Sequence, residues 1–170
     1  MCEEVTAMEL WDAYDRNGRR TGETLVRGKP IPEGRYHLVS CVTVRHRDGS
    51  FLLMRRSPDK PNWPNIWEIG AGGSALKGET AEECARRELY EETGISCGNL
   101  TYLGRYREGV HIYEGFLCVT DHPKDQIRLQ KGENVDYRWL TVPEFLEFFD
   151  SDQCIEKFKR RLGGYVSQFR

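Results

Sequence analysis

Glu88, Glu91 and Glu92 stand at i, i+3 and i+4, a spacing that in a helix puts three side chains on one face. Like charges so placed cost about 0.2–0.5 kcal/mol per pair on an exposed helix, and more in a cleft of lower dielectric. Something positive should offset them. Nearby Glu82 and Glu83 have Arg86 and Arg87 four positions on, which predicts ordinary i to i+4 ion pairs, but none of the three clustered glutamates has a basic residue at that offset. Carboxylate oxygens are hard ligands that suit Mg²⁺ or Mn²⁺, so the pattern predicts a divalent-cation site rather than a solvated acidic face.

The elements around them must place these carboxylates at a cleft. Thr80 and Glu83 have the spacing of a capping box and Gly94 suits the position just past a helix, which predicts a helix over 80–93. Ala85 and Leu89 form a stripe beside the acidic face, and packing that stripe on a sheet carries the carboxylates to its edge. A glycine-dense loop, 70–74, precedes the helix. Upstream, residues 9–14 and 20–26 flank Asn17-Gly18, a two-residue hairpin signal, and residues 37–45 and 51–56 read as a second hairpin. Pro58, Pro61 and Pro64 make 57–65 a surface loop before a short apolar strand at 67–69. Residues 102–106, 111–120 and 135–140 read as three further strands. Thr141 then caps a helix with Pro143 at its second position. Phe145, Leu146, Phe148, Phe149, Ile155, Phe158 and Leu162 follow helical spacing over 142–163, and such an apolar stripe reads as core rather than as a cofactor site.

Composition limits what this arrangement serves. A chain of 170 residues with 38% hydrophobic and 31% charged residues predicts one globular domain over 1–170. A net charge of −2 gives no general attraction to a nucleic acid polymer or an anionic membrane, and no apolar run approaches the length of a membrane span. The six cysteines, Cys2, Cys41, Cys84, Cys97, Cys118 and Cys154, form no CxxC pair and read as isolated thiols. With the acidic start at Glu3 and Glu4, they predict a soluble protein of the reducing cytoplasm.

Residues 73 to 95 read G-x5-E-x7-R-E-U-x-E-E-x-G-U, with Gly73, Glu79, Arg87, Glu88, Leu89, Glu91, Glu92, Gly94 and Ile95 at the specified positions and U aliphatic. This resembles the Nudix box, and nine specified positions in 23 residues make a chance match very improbable. The resemblance implies an α+β protein, an α/β/α sandwich around a mixed sheet with an amino-terminal hairpin and carboxy-terminal helices. It also implies Mg²⁺-dependent cleavage of a diphosphate in a nucleoside diphosphate linked to another moiety X, with Mn²⁺ able to substitute. Glu88 and Glu92 are then the principal metal ligands, Glu91 a further ligand or the general base, and the Gly73 carbonyl a fourth contact, while Glu79 and Arg87 orient loop and helix. Glu133 is the candidate base from the later loop, with Asp136 second. Arg55 or Arg56, whichever the strand turns inward, would grip a phosphate. Trp63 and Trp67 are placed to stack on a base or join the core, and Tyr36 and His37 to line the pocket. Asp12, Asp15, Arg27, Lys60, Trp63-Pro64 and Trp67-Glu68 are similar to the branch that holds isopentenyl diphosphate isomerases and their hydrolase relatives. An isomerase would need a cysteine before Trp67 and a histidine after the first box glycine; residues 57–66 contain no cysteine and Ser74 stands after Gly73, so hydrolysis is expected. A module that senses a nucleotide diphosphate without cleaving it is the remaining reading, and intact Glu79, Glu88, Glu91 and Glu92 argue against it. The box leaves X open among ADP-ribose, dinucleoside polyphosphates, damaged nucleoside triphosphates and isoprenoid diphosphates. Dimeric relatives suggest that hairpin 9–26 pairs two copies as a homodimer.

Overall fold

A computed structural model describes residues 8–170; Cys2, Glu3 and Glu4 lie outside the described residues. β1 (Leu10–Tyr14) and β2 (Arg20–Val26) form the expected hairpin. Its turn is longer than Asn17-Gly18 alone predicts, because Asp15 organises it: the Asp15 amide donates to Arg19 O, and Asp15 Oδ1 accepts the amides of Asn17 and Arg19.

The main sheet is mixed. β3 (His37–His46) runs parallel to β8 (His111–Thr120), and β8 pairs antiparallel with β7 (Leu100–Glu108). β4 (Phe51–Arg56) meets β3 at Arg45 and Phe51, and its other edge takes β9 (Asn134–Leu140). Beyond that meeting point, β5 (Trp67–Ile69) pairs along β4 and β6 (Ala71–Ser74) along β3. The glycine-dense stretch is thus largely a strand, not the loop its composition predicts. Gly70, at a φ of +72°, joins the two pieces where a Cβ would lie 1.8 Å from Val42 O, so only glycine fits the crossing.

Both faces of β4 are covered, so Phe51, Leu52, Leu53 and Met54 are all buried. Leu52 and Met54 join Val42, Val44, Ala85 and Leu89 on one face, beneath α1 (Ala81–Thr93). Phe51 and Leu53 join Phe145, Phe148, Phe158 and Leu162 on the other, beneath α2 (Val142–Asp150) and α3 (Glu156–Val166). This is the expected α/β/α sandwich, and the aromatic stripe is core, with Phe51 and Phe145 stacked at 4.1 Å. The capping box on α1 forms, with Thr80 N donating to Glu83 Oε2 at 2.7 Å and Glu83 N to Thr80 Oγ1 at 3.2 Å. Gly94 closes the helix in the left-handed region. Thr141 and Glu144 repeat the device on α2, with Pro143 second in the helix.

The hairpin is fastened to the loop before α1. Lys77 N donates to Leu10 O and Gly78 N to Asp12 Oδ2, both at 2.8 Å. Cys84, Cys118 and Cys154 are buried thiols. Among the described residues no helix is long and apolar enough to cross a membrane.

Candidate active site

Arg87 is the hub of the loop and helix. Its Nε donates to Glu79 Oε1 at 2.6 Å and its Nη2 to Glu79 Oε2 at 2.9 Å and to Ser74 O at 3.0 Å. Glu79 Oε2 also accepts the Leu76 amide at 2.8 Å, so one carboxylate and one guanidinium tie β6, the loop and α1 together. Burial pushes the Glu79 carboxyl up, but the Arg87 and Leu76 hydrogen bonds outweigh it and hold it below the ordinary range. The predicted pair of Glu83 with Arg87 does not form, because Glu83 is spent on the cap and Arg87 on Glu79; Glu82 and Arg86 do pair, at 2.7 Å.

Arg87 also answers part of the charge that the sequence pattern leaves unmet. Its Nη1 lies 2.7 Å from Glu88 Oε1 and 3.3 Å from Glu91 Oε2, so the offset comes from upstream rather than four residues downstream. Glu88 and exposed Glu91 thus share one guanidinium nitrogen, and among the described residues no three carboxylate, imidazole or thiol groups are closed around a point that could hold a metal.

Glu92 is the exception. It is 6% exposed, and among the described residues its one side-chain hydrogen-bond partner is Asn134 Nδ2 at 3.5 Å, a long contact. Burial first, then repulsion from Glu68, Glu88 and Glu133, pushes its carboxyl well above the ordinary carboxylate range, against the weak pull of Asn134. Burial likewise raises Glu88, with Arg87 opposing. Gly73 lies so close to Glu88 that a Cβ there would sit 2.4 Å from the carboxyl carbon, leaving backbone and carboxylate in direct apposition. The Gly73 carbonyl accepts the Cys84 thiol at 3.4 Å, in a strand paired with β3 at Ser40. These donors are all oxygen, and among the described residues no basic side chain pairs with the buried one, which fits a hard divalent ion. Mg²⁺ is usually held by one or two carboxylates plus substrate phosphates rather than by an all-protein cage, so a cluster that is not closed in advance fits it as well.

The cleft around Glu88, Glu91 and Glu92 is also lined by Gly73, Glu133, Arg56 and Lys60. Glu133 is thus beside the box glutamates, in an ion pair with Lys60. Asp136 is exposed on β9 and does not line the cleft. Of the two arginines ending β4, Arg56 lines it and Arg55 does not; Arg56 Nε donates to Asn62 O at 2.8 Å and its Nη1 lies 3.4 Å from Glu68 Oε1. Trp67 is turned to the opposite core, under Arg138 at 4.4 Å. Trp63, 53% exposed, lines a neighbouring pocket instead. His37 lines that pocket too, but is buried, stacked on Trp11 at 3.9 Å with Nε2 2.9 Å from Ser74 Oγ.

Sequence reasoning passed over Glu68 and Asn134 as site residues. Glu68 sits between Trp67 and Ile69, which both face the α2–α3 core, so the period-2 alternation of β5 places it on the side of Glu92. Asn134 carries no signal of this kind; only the pairing of β9 with β4 brings it beneath α1.

A family model for the NUDIX domain matches residues 35–162. The chain is similar to an uncharacterized Nudix hydrolase of Listeria monocytogenes, 37% identical over 156 residues that cover 89% of this chain and 90% of the relative. It is 27% identical over 117 residues to an isopentenyl-diphosphate Delta-isomerase of Klebsiella pneumoniae, covering 65% of this chain and 64% of that one. A crystal structure from Deinococcus radiodurans matches with a TM-score of 0.73 at 22% identity, over 94% of this chain and 98% of the other, a likeness of fold alone.

Proposed function

The chain belongs to the Nudix hydrolase family, whose members act on pyrophosphate bonds, and from that premise we propose that it cleaves a nucleoside diphosphate linked to a moiety X, with Mg²⁺ as the working ion. Glu88 and Glu92 would hold that ion with the Gly73 carbonyl, and Glu91 would join them once Arg87 yields it. The observation that carries this reading is Glu92, a buried carboxylate whose charged neighbours include three more carboxylates. A folded chain tolerates such a charge only where a cation meets it or a proton neutralises it.

Bound there, a divalent ion would neutralise phosphate charge and acidify a water in the cleft. The chain's own residues do the rest. Arg56 and Lys60 line the cleft and bind the phosphate oxygens. As a phosphate draws Lys60 toward itself, Glu133 is freed to take the proton of the attacking water, which makes it the general base. Arg87 keeps Glu88 and the Gly73 strand in register through Glu79 and Ser74 O. Residues 1–170 would act as one domain, in the cytoplasm, where the described free cysteines stay reduced. Pairing of two copies through β1 and β2 belongs to the same reading; light scattering that finds monomer alone at micromolar concentration contradicts it.

Phosphate release from a panel of diphosphates, with and without Mg²⁺, tests the reaction. Release that needs the ion and is lost in Glu92→Gln is expected. Release that is equal in EDTA contradicts the proposal.

A further inference from the structure

A second pocket opens on the α3 side of the sheet and meets the carboxylate cleft at β6, where Arg56, Gly72 and Ser74 line both. Cys41 of β3, Tyr113 of β8 and Lys157, Phe158 and Arg161 of α3 form its walls, with Trp63 beside them. Glu68, which also acts on Glu92, is the acid that lines this pocket, and it is already paired with Arg56. Among the described residues neither Lys157 nor Arg161 has an acidic partner within ion-pair distance, although both are half-buried.

Arg161 is nonetheless held in place. Its Nε donates to Lys157 O at 3.1 Å and its Nη1 to Cys41 Sγ at 2.9 Å, while the guanidinium lies 4.5 Å from the ring centre of Tyr113 and 4.9 Å from that of Phe158. A guanidinium has donors on three nitrogens, and Nη2 has no described partner. Lys157 Nζ stands 5.7 Å from the Phe158 ring centre and 5.9 Å from that of Trp63. Burial first, then the charge of Arg161, pushes its ammonium below the ordinary lysine range, with Glu68 opposing. A guanidinium packed against two rings beside an ammonium suits a phosphate, which it can meet with the N–H groups it has left. A ligand with a neutral end would leave both cations desolvated and unmatched.

We propose that this pocket receives the X end of the substrate and selects an X that carries a phosphate group of its own, held between Lys157 and Arg161. The proposal rests on the scissile diphosphate lying at the carboxylate cleft, so that a ligand crossing β6 reaches α3.

The test uses the full chain, labelled with ¹⁵N, in EDTA, with inorganic phosphate as probe and amide spectra as readout. Saturable shifts are expected at residues 41, 113 and 157–161, with the dissociation constant raised about tenfold or more in Arg161→Gln and in Lys157→Gln. Arg161→Lys keeps the charge and should bind more weakly than the wild type but measurably; it decides the matter if the glutamine variant loses its native spectrum. Shifts absent from these residues, or affinities unchanged in the variants, overturn the proposal. The phosphate can belong to an ester on X or to a longer phosphate chain. NADPH displacing the probe about tenfold better than NADH assigns the ester, and diadenosine tetraphosphate outcompeting diadenosine diphosphate assigns the chain. No difference within either pair overturns the selection. Metal-dependent hydrolysis is scored separately: phosphate binding without hydrolysis strikes the catalytic reading and leaves the pocket standing, and hydrolysis without phosphate binding strikes the pocket alone.

Discussion

The two sides of the sheet carry unmet charge of opposite sign. Beneath α1, Glu92 is buried among Glu68, Glu88 and Glu133. Beneath α3, Lys157 and Arg161 lie against aromatic rings with no acid to pair with among the described residues. Both sides rest on the same kind of packing, Leu52 and Met54 facing one way and Phe51 and Leu53 the other. On α1 itself charges are matched, as in the Glu82–Arg86 pair and the Glu79–Arg87 clamp. A ligand of opposite sign can supply the partner that such a buried charge lacks, and the sign of the residue gives the sign of the ligand.

That contrast breaks most sharply at Glu92. Glu92→Gln is expected to lower turnover by roughly 10⁴-fold, about 5 kcal/mol, in a steady-state assay with saturating Mg²⁺; wild-type turnover would remove Glu92 from the site. Packing should behave differently. Phe145→Ala deletes a fully buried ring from the α2–α3 side and should cost about 3–5 kcal/mol in denaturant unfolding while leaving metal affinity unchanged. A weakened metal site in that variant would show the two sides to be coupled.

Without metal, Glu92 should be a liability. Its folded carboxyl is pushed above the unfolded value of 4.5, so it costs stability as pH rises through and beyond that value. Glu92→Gln should therefore raise the unfolding free energy at pH 8 in EDTA by about 1–3 kcal/mol; a loss of stability would mean that Glu92 is already satisfied. His37, on the α3 side, has the opposite slope. Burial, then the charges of His111 and Arg27, pushes its imidazole down to about 3, so the folded form stays neutral while the unfolded form takes a proton below 6.5. Its contribution to stability is present above pH 6.5 and falls by up to about 1.4 kcal/mol per pH unit below that value until about pH 3. The stability difference between wild type and His37→Gln should narrow between pH 7 and pH 5, and parallel curves would contradict this. The smallest effect is expected at the exposed pair on α1, where Glu82→Ala should cost about 0.3–0.5 kcal/mol.

Much of the fold was legible because periodicity reports burial. The Thr80–Glu83 capping box, the Asn17-Gly18 region between two strands and the Phe145–Leu162 stripe each follow from local chemistry that tertiary contacts do not override. The glycine run at 70–74 misled because glycine composition says nothing about pairing; β3 and β4 part, and the backbone of 71–74 meets the open edge. In the site, spacing on α1 was enough to find the acidic face. It did not show that Arg87 would reach Glu88 and Glu91, since that depends on how the loop folds back. Lys157 and Arg161 were passed over because charged residues between Ile155, Phe158 and Leu162 look like the solvated side of an amphipathic helix. Only the position of α3 over β3 and β8 turns them inward.

A titration of Mn²⁺ into the wild type and Glu92→Gln, followed by water-proton relaxation, tests the central claim most directly. Saturable binding to the wild type that weakens by at least about tenfold in the variant, with the fold intact by amide spectra, is the predicted result. Equal binding to both proteins, or none to the wild type, would contradict a cation site built on Glu92.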